Sequence, residues 1–356
     1  MFLYQRKISA SRRETARVGK QFALSLLSLG GAFRLGEMLS SRNLLVLTYH
    51  RVIPRDRYRG GKRPPNTHFT DEFDEQMAFV AKRFNVLAGN ELRDFMEGRG
   101  TVPRYSLAIT FDDGYENNFT HALPILQQHG LHAVFFVTTN LIGDDNRSFW
   151  FDRLDRLLSV VPSAVILNRL RQIDVSLPAS PDTRIHRYFK TLPSARQSEL
   201  LDSLERQFRD TKLPVADRVV HGLMSWDQVR SMAAAGMTIG SHTANHQILA
   251  AVTPAEAQKE LLSSRLRTEQ ETGQPCWCFA YPNGERQDFR PSDELSVEDT
   301  GYLCAFTQIS GSINSRTPRY ALPRIAIPDT GDIKIFRSYV SGVHRAFRAI
   351  FPTKAG

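Results

Sequence analysis

The chain has 356 residues, 41% of them hydrophobic and 10% aromatic, so it is long enough for one large α/β barrel or two small domains. Its net charge of +9 and pI near 9.6 predict attraction to acidic glycans or to an anionic membrane surface. No nucleic-acid-binding motif accompanies that charge. The odd number and the spacing of the cysteines, Cys276, Cys278 and Cys304, support neither a disulfide framework nor a cysteine-ligated metal, and we interpret them as strand-filling residues in a reducing compartment.

Residues 1–42 are interpreted as a basic, amphipathic N-terminal extension. An apolar run at residues 22–29 follows one acidic residue, Glu14, and a group of basic residues: Arg6, Lys7, Arg12, Arg13, Arg17 and Lys20. The run is a poor match to a secretory signal and much shorter than the roughly 20 apolar residues of a membrane-spanning helix. Two interpretations stay open, a helix on the membrane surface and a helix packed on the rest of the fold.

The first strand signal is the apolar run at residues 43–49, and His50 follows it directly. A histidine at the carboxyl end of a barrel strand lies where barrel enzymes carry out their chemistry, although a histidine satisfied in the core or a loop is the common alternative. Residues 51–70 are basic and contain paired glycines and prolines, which predicts a loop over the site. Helical spacing of apolar residues then predicts a helix over residues 71–84.

Residues 107–111 carry bulky apolar side chains and predict a buried parallel strand that ends at Asp112, Asp113 and Gly114. Adjacent carboxylates repel each other, so a fold that places two of them at a strand end needs a cation or a shared proton there. Gly114 lets the backbone turn without a steric penalty. For these three residues alone, a solvated turn is the alternative.

A helix over residues 117–129 and a strand over residues 133–139 continue the alternation of strands and helices. Residues 144–225 are rich in arginine and leucine at helical spacing, and they predict a helical insertion. Trp150 and Phe151, near its start, are either core residues or a surface on which a sugar ring stacks.

His242 and His246 follow a short strand signal at residues 237–239. Their spacing of four predicts that both imidazoles lie on one helical face. With a carboxylate from elsewhere in the chain, such a pair supplies the three protein ligands of an open catalytic zinc site. A pair of ordinary surface histidines is the alternative.

Further strand signals lie at residues 276–281, 302–307 and 321–327, which brings the predicted strands to seven. The sequence therefore predicts an α/β fold, a closed and distorted (β/α)7 barrel over residues 43–328. A basic, aromatic tail follows at residues 329–356, as a helix either at the membrane or on the barrel.

Three motifs taken together resemble the polysaccharide deacetylases, the NodB-type carbohydrate esterase family. These are Thr-Phe-Asp-Asp-Gly at 110–114, His-Thr-Ala-Asn-His at 242–246 and Phe-Ala-Tyr-Pro-Asn-Gly at 279–284. The resemblance covers about residues 44–328. It implies the distorted (β/α)7 barrel and a divalent cation, most simply zinc.

The resemblance also implies a role for each matching residue. Asp113, His242 and His246 would bind the metal, and Asp112 would be the base that takes a proton from water. The backbone N–H of Asn283 would stabilise the developing oxyanion.

Two departures from the family pattern affect the remaining roles. Ala280 stands where many members have an arginine, and the chain has no Asp-x-x-Asp-Trp block or terminal Leu-x-His block. Deacetylases of the poly-N-acetylglucosamine type open with a similar Tyr-His block, which implies a circularly shifted motif order with His50 as the general acid. Arg324 enters the strand expected beside that of His50, so we predict that its guanidinium pairs with Asp112, and a surface arginine is the alternative.

The sequence therefore predicts metal-dependent hydrolysis of N-acetyl groups on a glycan that contains N-acetylhexosamine. Two alternatives stay open: a same-fold hydrolase of another amide, on a lipid-linked sugar or small molecule, and a glycan-binding module without turnover. The expected partners are an N-acetylated glycan or glycolipid and, through the basic termini, a membrane surface, but not nucleic acid. We expect a cytoplasmic location or a peripheral one at the inner membrane face rather than secretion.

Overall fold

The structure, a computed structural model, describes residues 31–58, 63–144, 148–173, 185–209 and 218–345. The basic and apolar segments predicted within residues 1–30, parts of the predicted insertion and the last residues of the predicted tail lie outside this description.

The described residues contain a larger sheet of eight strands and a separate pair. The strands are β1 (Leu45–Tyr49), β2 (Arg51–Ile53), β3 (Thr67–Phe69), β4 (Asn85–Val86), β5 (Ser106–Phe111), β6 (Val134–Val137), β7 (Thr238–Ser241), β8 (Cys278–Ala280), β9 (Cys304–Ser310) and β10 (Leu322–Ala326).

Helices alternate with most of these strands. They are α1 (Ala32–Ser40), α2 (Thr70–Arg83), α3 (Gly89–Met96), α4 (Leu123–Gln128), α5 (Trp150–Val160), α6 (Ser163–Ile173), α7 (Ile185–Lys190), α8 (Ser194–Gln207), α9 (Arg218–His221), α10 (Trp226–Ala234), α11 (Pro254–Thr272), α12 (Pro291–Asp299) and α13 (Ile333–Val340). A π-helical turn, Asn118–Ala122, precedes α4, and a 3-10 turn, Leu249–Ala251, precedes α11.

The larger sheet closes into a barrel of seven parallel strands. The order is β1-β10-β9-β8-β7-β6-β5, and β5 pairs again with β1, with Leu45 opposite Leu107 and Tyr49 opposite Phe111. The short strand β4 pairs in addition with the start of β5. The predicted closed (β/α)7 barrel is confirmed, and each of the seven predicted strand segments overlaps one barrel strand.

Alternating side chains along the strands divide the apolar core into two layers. Leu47 and Ile109 belong to the outer layer, which packs against Phe73 of α2 and other helical residues. Val46 and Ala108 belong to the inner layer, which fills the barrel. Because inward positions alternate, Thr110 and then Asp112 continue the inner face of β5 toward its carboxyl end.

The described parts of residues 144–225 are the helices α5 to α9. The helices α5 to α8 enclose a separate apolar cluster in which Leu154, Leu157 and Leu200 are fully buried. Trp150 belongs to this cluster and stacks on Phe189, with ring centroids 5.9 Å apart. Trp150 is therefore a core residue rather than a surface for sugar.

Both ends of the described chain pack on the barrel. Phe336 of α13 is fully buried in the outer layer beside α2. Phe33 of α1 is buried as well, and the Arg337 guanidinium lies 5.4 Å from the centre of its ring. Between the two interpretations of the tail, the structure therefore favours packing on the barrel as far as α13. Within the described residues, no helix has the length and apolar content needed to cross a membrane.

Gly240 provides a test of the barrel's packing. A Cβ atom there would lie 2.6 Å from the Phe136 ring and 2.9 Å from Cys278 Sγ. We expect Gly240→Ala to lower the free energy of unfolding by roughly 1–3 kcal/mol, because the interior would be overpacked. Gly100 has no atom within 4 Å of the corresponding position, so Gly100→Ala is the matched control. Equal urea denaturation midpoints for the two variants would contradict the packing.

Candidate metal centre and catalytic site

The backbone turns sharply at the end of β5. Asp113 has a φ of 79° and Gly114 a φ of 88°, both in the left-handed region. A side chain on Gly114 would also collide with Ile142, so the turn requires glycine there. The turn separates the neighbouring carboxylates, because Asp112 stays inside the barrel and Asp113 lies beside the loop that follows β7.

Asp113, His242 and His246 form a buried cluster whose ligand atoms all lie within 4.8 Å of one another. Asp113 Oδ1 is 3.6 Å from His242 Nε2 and 3.4 Å from His246 Nε2. Two ligands of a tetrahedral zinc ion would lie about 3.3 Å apart, given the usual Zn–N and Zn–O bond lengths. The cluster therefore has the composition and the size of a three-ligand metal site.

The prediction that the two histidines share a helical face is wrong. They lie on an irregular loop after β7, in which Thr243 has a φ of 63° and His246 a φ of 56°. Gln247 N donates to Thr243 Oγ1 at 3.0 Å and closes the loop. The imidazoles meet because the loop turns back on itself, which a spacing of four residues cannot distinguish from a helix.

The protonation states of the cluster suit a cation. Nδ1 of His242 lies 2.7 Å from the carbonyl oxygen of Ala280, so a proton on Nδ1 leaves Nε2 free as a ligand. Burial lowers the pKa of His242 to about 4, which keeps the ring neutral. Burial would raise the pKa of Asp113, but the hydrogen bond with His246 and the charges of nearby histidines lower it overall. Nδ1 of His246 is buried without a hydrogen-bond partner in the described structure.

Asp112 is held by a buried arginine. Arg324 is fully buried and donates from Nη1 to Asp112 Oδ1 and from Nη2 to Asp112 Oδ2, each at 2.7 Å. Its Nε donates to the carbonyl oxygen of Thr307 at 2.9 Å, and Nη1 also donates to Thr110 Oγ1 at 3.1 Å. The structure thus brings Arg324 and Asp112 together in the forked geometry that arginine forms with a carboxylate.

Gln308 is a further partner of Asp112 that sequence reasoning missed. Its Nε2 donates to Asp112 Oδ2 at 3.1 Å. The sequence signal that could have predicted this contact is the alternation of side chains along a strand. Gln308 is a polar residue two positions after the inward-facing Phe306, near the end of β9, and so it also faces inward. Burial alone would raise the pKa of Asp112, but the charges of Arg324, His242 and His50 and the hydrogen bonds from Arg324 together outweigh it, so the pKa lies below its usual range and the carboxylate is ionised.

His50 and Asn283 lie at the same end of the barrel. His50 is half-buried between β1 and β2, and its carbonyl oxygen accepts a hydrogen bond from Asn118 Nδ2 at 2.6 Å. A charge on its ring lowers the pKa of both Asp112 and Asp113. Asn283 follows β8 with a φ of 59°, and its side-chain Nδ2 is buried without a partner in the described structure. The roles of both residues stay predictions.

The helical insertion borders the metal cluster. Phe149 and Phe151 lie edge-on to the His246 ring, with centroids 5.1 Å and 5.5 Å away. Asp152 of α5 pairs with the buried Arg51 of β2, and Tyr115 donates to the same carboxylate at 2.9 Å. Sequence reasoning missed this network, which fastens the start of the insertion to the barrel beside the site.

Comparison with known proteins identifies the family of this site. The family model of the polysaccharide deacetylases matches residues 99–295, which is more than half of the chain. The chain belongs to the polysaccharide deacetylase family. It is accordingly a hydrolase that acts on C–N bonds other than peptide bonds. The matched region includes both carboxylates of the β5 turn, both histidines and Asn283, whereas His50 and Arg324 lie outside it.

Two relatives of this polysaccharide deacetylase are similar in sequence. The Bacillus subtilis protein YxkH, named provisionally as a polysaccharide deacetylase, is 20% identical over 301 residues, 84% of this chain and 77% of YxkH. The poly-beta-1,6-N-acetyl-D-glucosamine N-deacetylase of Staphylococcus epidermidis is 32% identical over 111 residues, 29% of this chain and 38% of that enzyme.

Solved structures share the fold of this deacetylase. Deacetylase PplD of Streptococcus pyogenes, in complex with acetate, matches with a TM-score of 0.56 and 15% identity over 84% of this chain and 98% of its own. IcaB of Ammonifex degensii matches with a TM-score of 0.54 and 17% identity over 84% of this chain and 97% of its own. At these identities the likeness concerns the fold alone.

Removal of either histidine tests the metal site. We expect His242→Ala and His246→Ala to lower zinc affinity at least about 100-fold, because each variant lacks one of three protein ligands. Isothermal titration with ZnCl2 after chelator treatment measures the effect. His129, whose Nε2 pairs with Asp74, is a matched control, and His129→Ala should bind zinc like the unmodified protein. Wild-type affinity in either site variant would refute the assignment.

Proposed function

We propose that this chain removes the N-acetyl group from an N-acetylhexosamine residue of a glycan by hydrolysis that depends on a divalent cation, most simply zinc. The buried Asp113, His242 and His246 would hold the cation. A bound cation would supply Lewis acidity both to the amide carbonyl and to the attacking water.

Asp112 is the proposed base of the reaction. It is buried and ionised, and Arg324 and Gln308 fix its orientation. A carboxylate oxygen can accept two hydrogen bonds, and Oδ1 of Asp112 accepts one, from Arg324 Nη1, so it keeps a lone pair for the proton of the attacking water while Arg324 remains bound. The hydrogen bonds from Arg324 hold the base in a single orientation. A fixed orientation favours proton transfer, because the base must lie within hydrogen-bond distance of the attacking water.

Two more residues complete the proposed mechanism. The N–H of Asn283 would donate to the oxyanion that develops on the carbonyl oxygen, an effect worth about 3 kcal/mol per donor in other hydrolases. His50 would deliver a proton to the leaving amine. Asn118 and Asn117 hold the backbone around His50, through hydrogen bonds of 2.6 Å to His50 O and 3.0 Å from Val52 N.

One observation carries the proposal: the neighbouring carboxylates at the end of β5 have different partners. Asp113 lies against the imidazoles of His242 and His246, and Asp112 is paired with an arginine that leaves it ionised. A binding module would require only a surface for sugar, whereas this division supplies a cation ligand and a separate base. The sequence similarity to an N-deacetylase of poly-beta-1,6-N-acetyl-D-glucosamine supports the choice of glycan substrate.

Acetate release tests the proposal. The zinc-loaded protein should release acetate from oligomers of β-1,6-linked N-acetylglucosamine, as measured by an enzyme-coupled assay. The comparison substrates are β-1,4-linked oligomers, an N-acetylated glycolipid and small N-acetyl amines. We expect Asp112→Asn and His50→Gln to bind zinc normally and to lower release at least about 100-fold, since each lacks a proton-transfer group. Turnover of small amines alone would contradict the glycan assignment, and no turnover at all would favour a binding module.

Arg324→Lys tests the support of the base. Lysine keeps the charge but loses the fork, so we expect kcat to fall roughly 100-fold with zinc affinity unchanged. Because Arg324 lowers the pKa of Asp112, a weaker partner should raise that pKa and move the acid limb of the pH profile to higher pH.

The matched control for this variant is Arg290, which also pairs with a carboxylate through Nε and Nη2, at Asp293. Arg290→Lys should leave both kcat and the pH profile unchanged. An Arg324→Lys enzyme with an unshifted acid limb would show that Arg324 does not set the ionisation of the base.

A further inference from the structure

Helix α1 has an apolar face that the described structure leaves uncovered. Leu35, Met38 and Leu39 are exposed by 57%, 58% and 79%, and their i, i+3, i+4 spacing places them side by side. The opposite side of the helix packs on the barrel, where Phe33 and Glu37 are buried. We call Leu35, Met38 and Leu39 the α1 face. It differs from scattered surface leucines because three large side chains of one short helix are exposed together.

Basic residues lie on and next to α1. Arg34 and Arg42 are exposed on the same segment. Arg83 pairs with Glu37, the acidic residue of α1, and Arg104 donates to Ser41 Oγ at 3.2 Å just beyond the helix. Because Glu37 is only 3% exposed, α1 adds no exposed carboxylate to this surface.

We propose that the α1 face docks on an anionic lipid surface. Apolar side chains flanked by arginines are the pattern that inserts into the boundary between headgroups and acyl chains. The segment that immediately precedes α1 in sequence repeats this composition, with six basic residues against Glu14 within residues 1–20 and an apolar run at 22–29. The proposal does not depend on the proposed reaction.

Docking through α1 would fix the direction of the catalytic site. The residue after α1, Ser41, accepts a hydrogen bond at 2.7 Å from the backbone of Tyr105, directly before β5. The catalytic carboxylates lie at the other end of β5. A lipid surface at α1 would therefore lie near the amino-terminal ends of the barrel strands. The metal cluster would then open away from the lipid, toward glycan at a distance from the surface.

Vesicle binding by the full chain tests the proposal. Cosedimentation is measured with vesicles of phosphatidylcholine alone and of phosphatidylcholine with 30% phosphatidylglycerol. We expect binding to the anionic vesicles only. Leu35→Gln/Leu39→Gln should lower the partition coefficient at least about tenfold because two inserting side chains become polar, and Arg34→Gln/Arg42→Gln about fivefold for each arginine removed.

Leu262 and Leu266 provide a matched control. They are also exposed leucines four residues apart, on α11, with exposures of 44% and 55%. Leu262→Gln/Leu266→Gln should bind vesicles like the unmodified protein, and thermal unfolding verifies that each variant is folded. Equal binding by the α1 variant and this control would overturn the proposal.

Two other occupants of the α1 face are distinguishable. If a second copy covers it, Leu35→Gln/Leu39→Gln will convert a dimer to a monomer in sedimentation equilibrium without any vesicle binding by the unmodified protein. If residues 1–30 of the same chain cover it, the variant will unfold at a lower temperature, again without vesicle binding. Either result overturns the lipid assignment. Acetate release from soluble oligomers should not change in the α1 variant.

Discussion

Two consecutive carboxylates at the end of β5 must be kept in different environments, and the site depends on that separation. Like charges about 4 Å apart near a protein surface repel by roughly 4 kcal/mol, so neighbours such as Asp112 and Asp113 need separate compensation. The left-handed turn at Asp113 directs one toward two imidazoles and leaves the other facing the Arg324 guanidinium. A straight continuation of the strand would still alternate the side chains, but Asp113 would then face the outer apolar layer.

The closed barrel explains how an arginine late in the chain serves a carboxylate on β5. β1 lies between β5 and β10 and pairs in parallel with both, so the ends of all three strands lie together. Arg324 reaches across the interior, with Thr307 and Thr110 accepting two of its hydrogen bonds. The position that many family members fill with arginine is Ala280, whose carbonyl oxygen instead orients His242. The charge beside the proposed base, Asp112, thus comes from a different strand.

Much of the fold was predictable because the information is local. Barrel strands are largely buried on both faces, so runs such as residues 107–111 and 133–139 are mostly apolar and can be recognised in the sequence. Arg324 could be placed because the motif order fixed which strand closes the barrel. By contrast, the loop of His242 and His246 depends on left-handed residues, and the contacts of Gln308 and Asp152 depend on strand register and on the packing of the insertion. Those are properties of the assembled fold rather than of sequence spacing.

Most of the strained non-glycine backbone conformations of the described structure lie at the proposed site. Of the six non-glycine residues with positive φ in the described structure, four lie in the site: Asp113, Thr243, His246 and Asn283. Such conformations cost of order 1–3 kcal/mol each, and they persist only where the surroundings fix them. The turn after β5 is fixed by the barrel, whereas the loop that carries His246 also depends on its closing hydrogen bond to Thr243 and on the insertion.

The contacts of the insertion help to position the candidate metal cluster. Gln247, next to His246, accepts a hydrogen bond from the backbone of Ser194 in α8 at 2.7 Å, and the rings of Phe149 and Phe151 border the His246 imidazole. Arg324 lies on a strand in the register of the closed barrel, and Asp112 and Asp113 lie directly after another strand of that barrel. His246 is positioned partly by a helical segment outside that register. The proposed base can therefore stay fixed while changes in the insertion alter the surroundings of one proposed metal ligand, and with them the shape of the site that the proposed glycan substrate would meet.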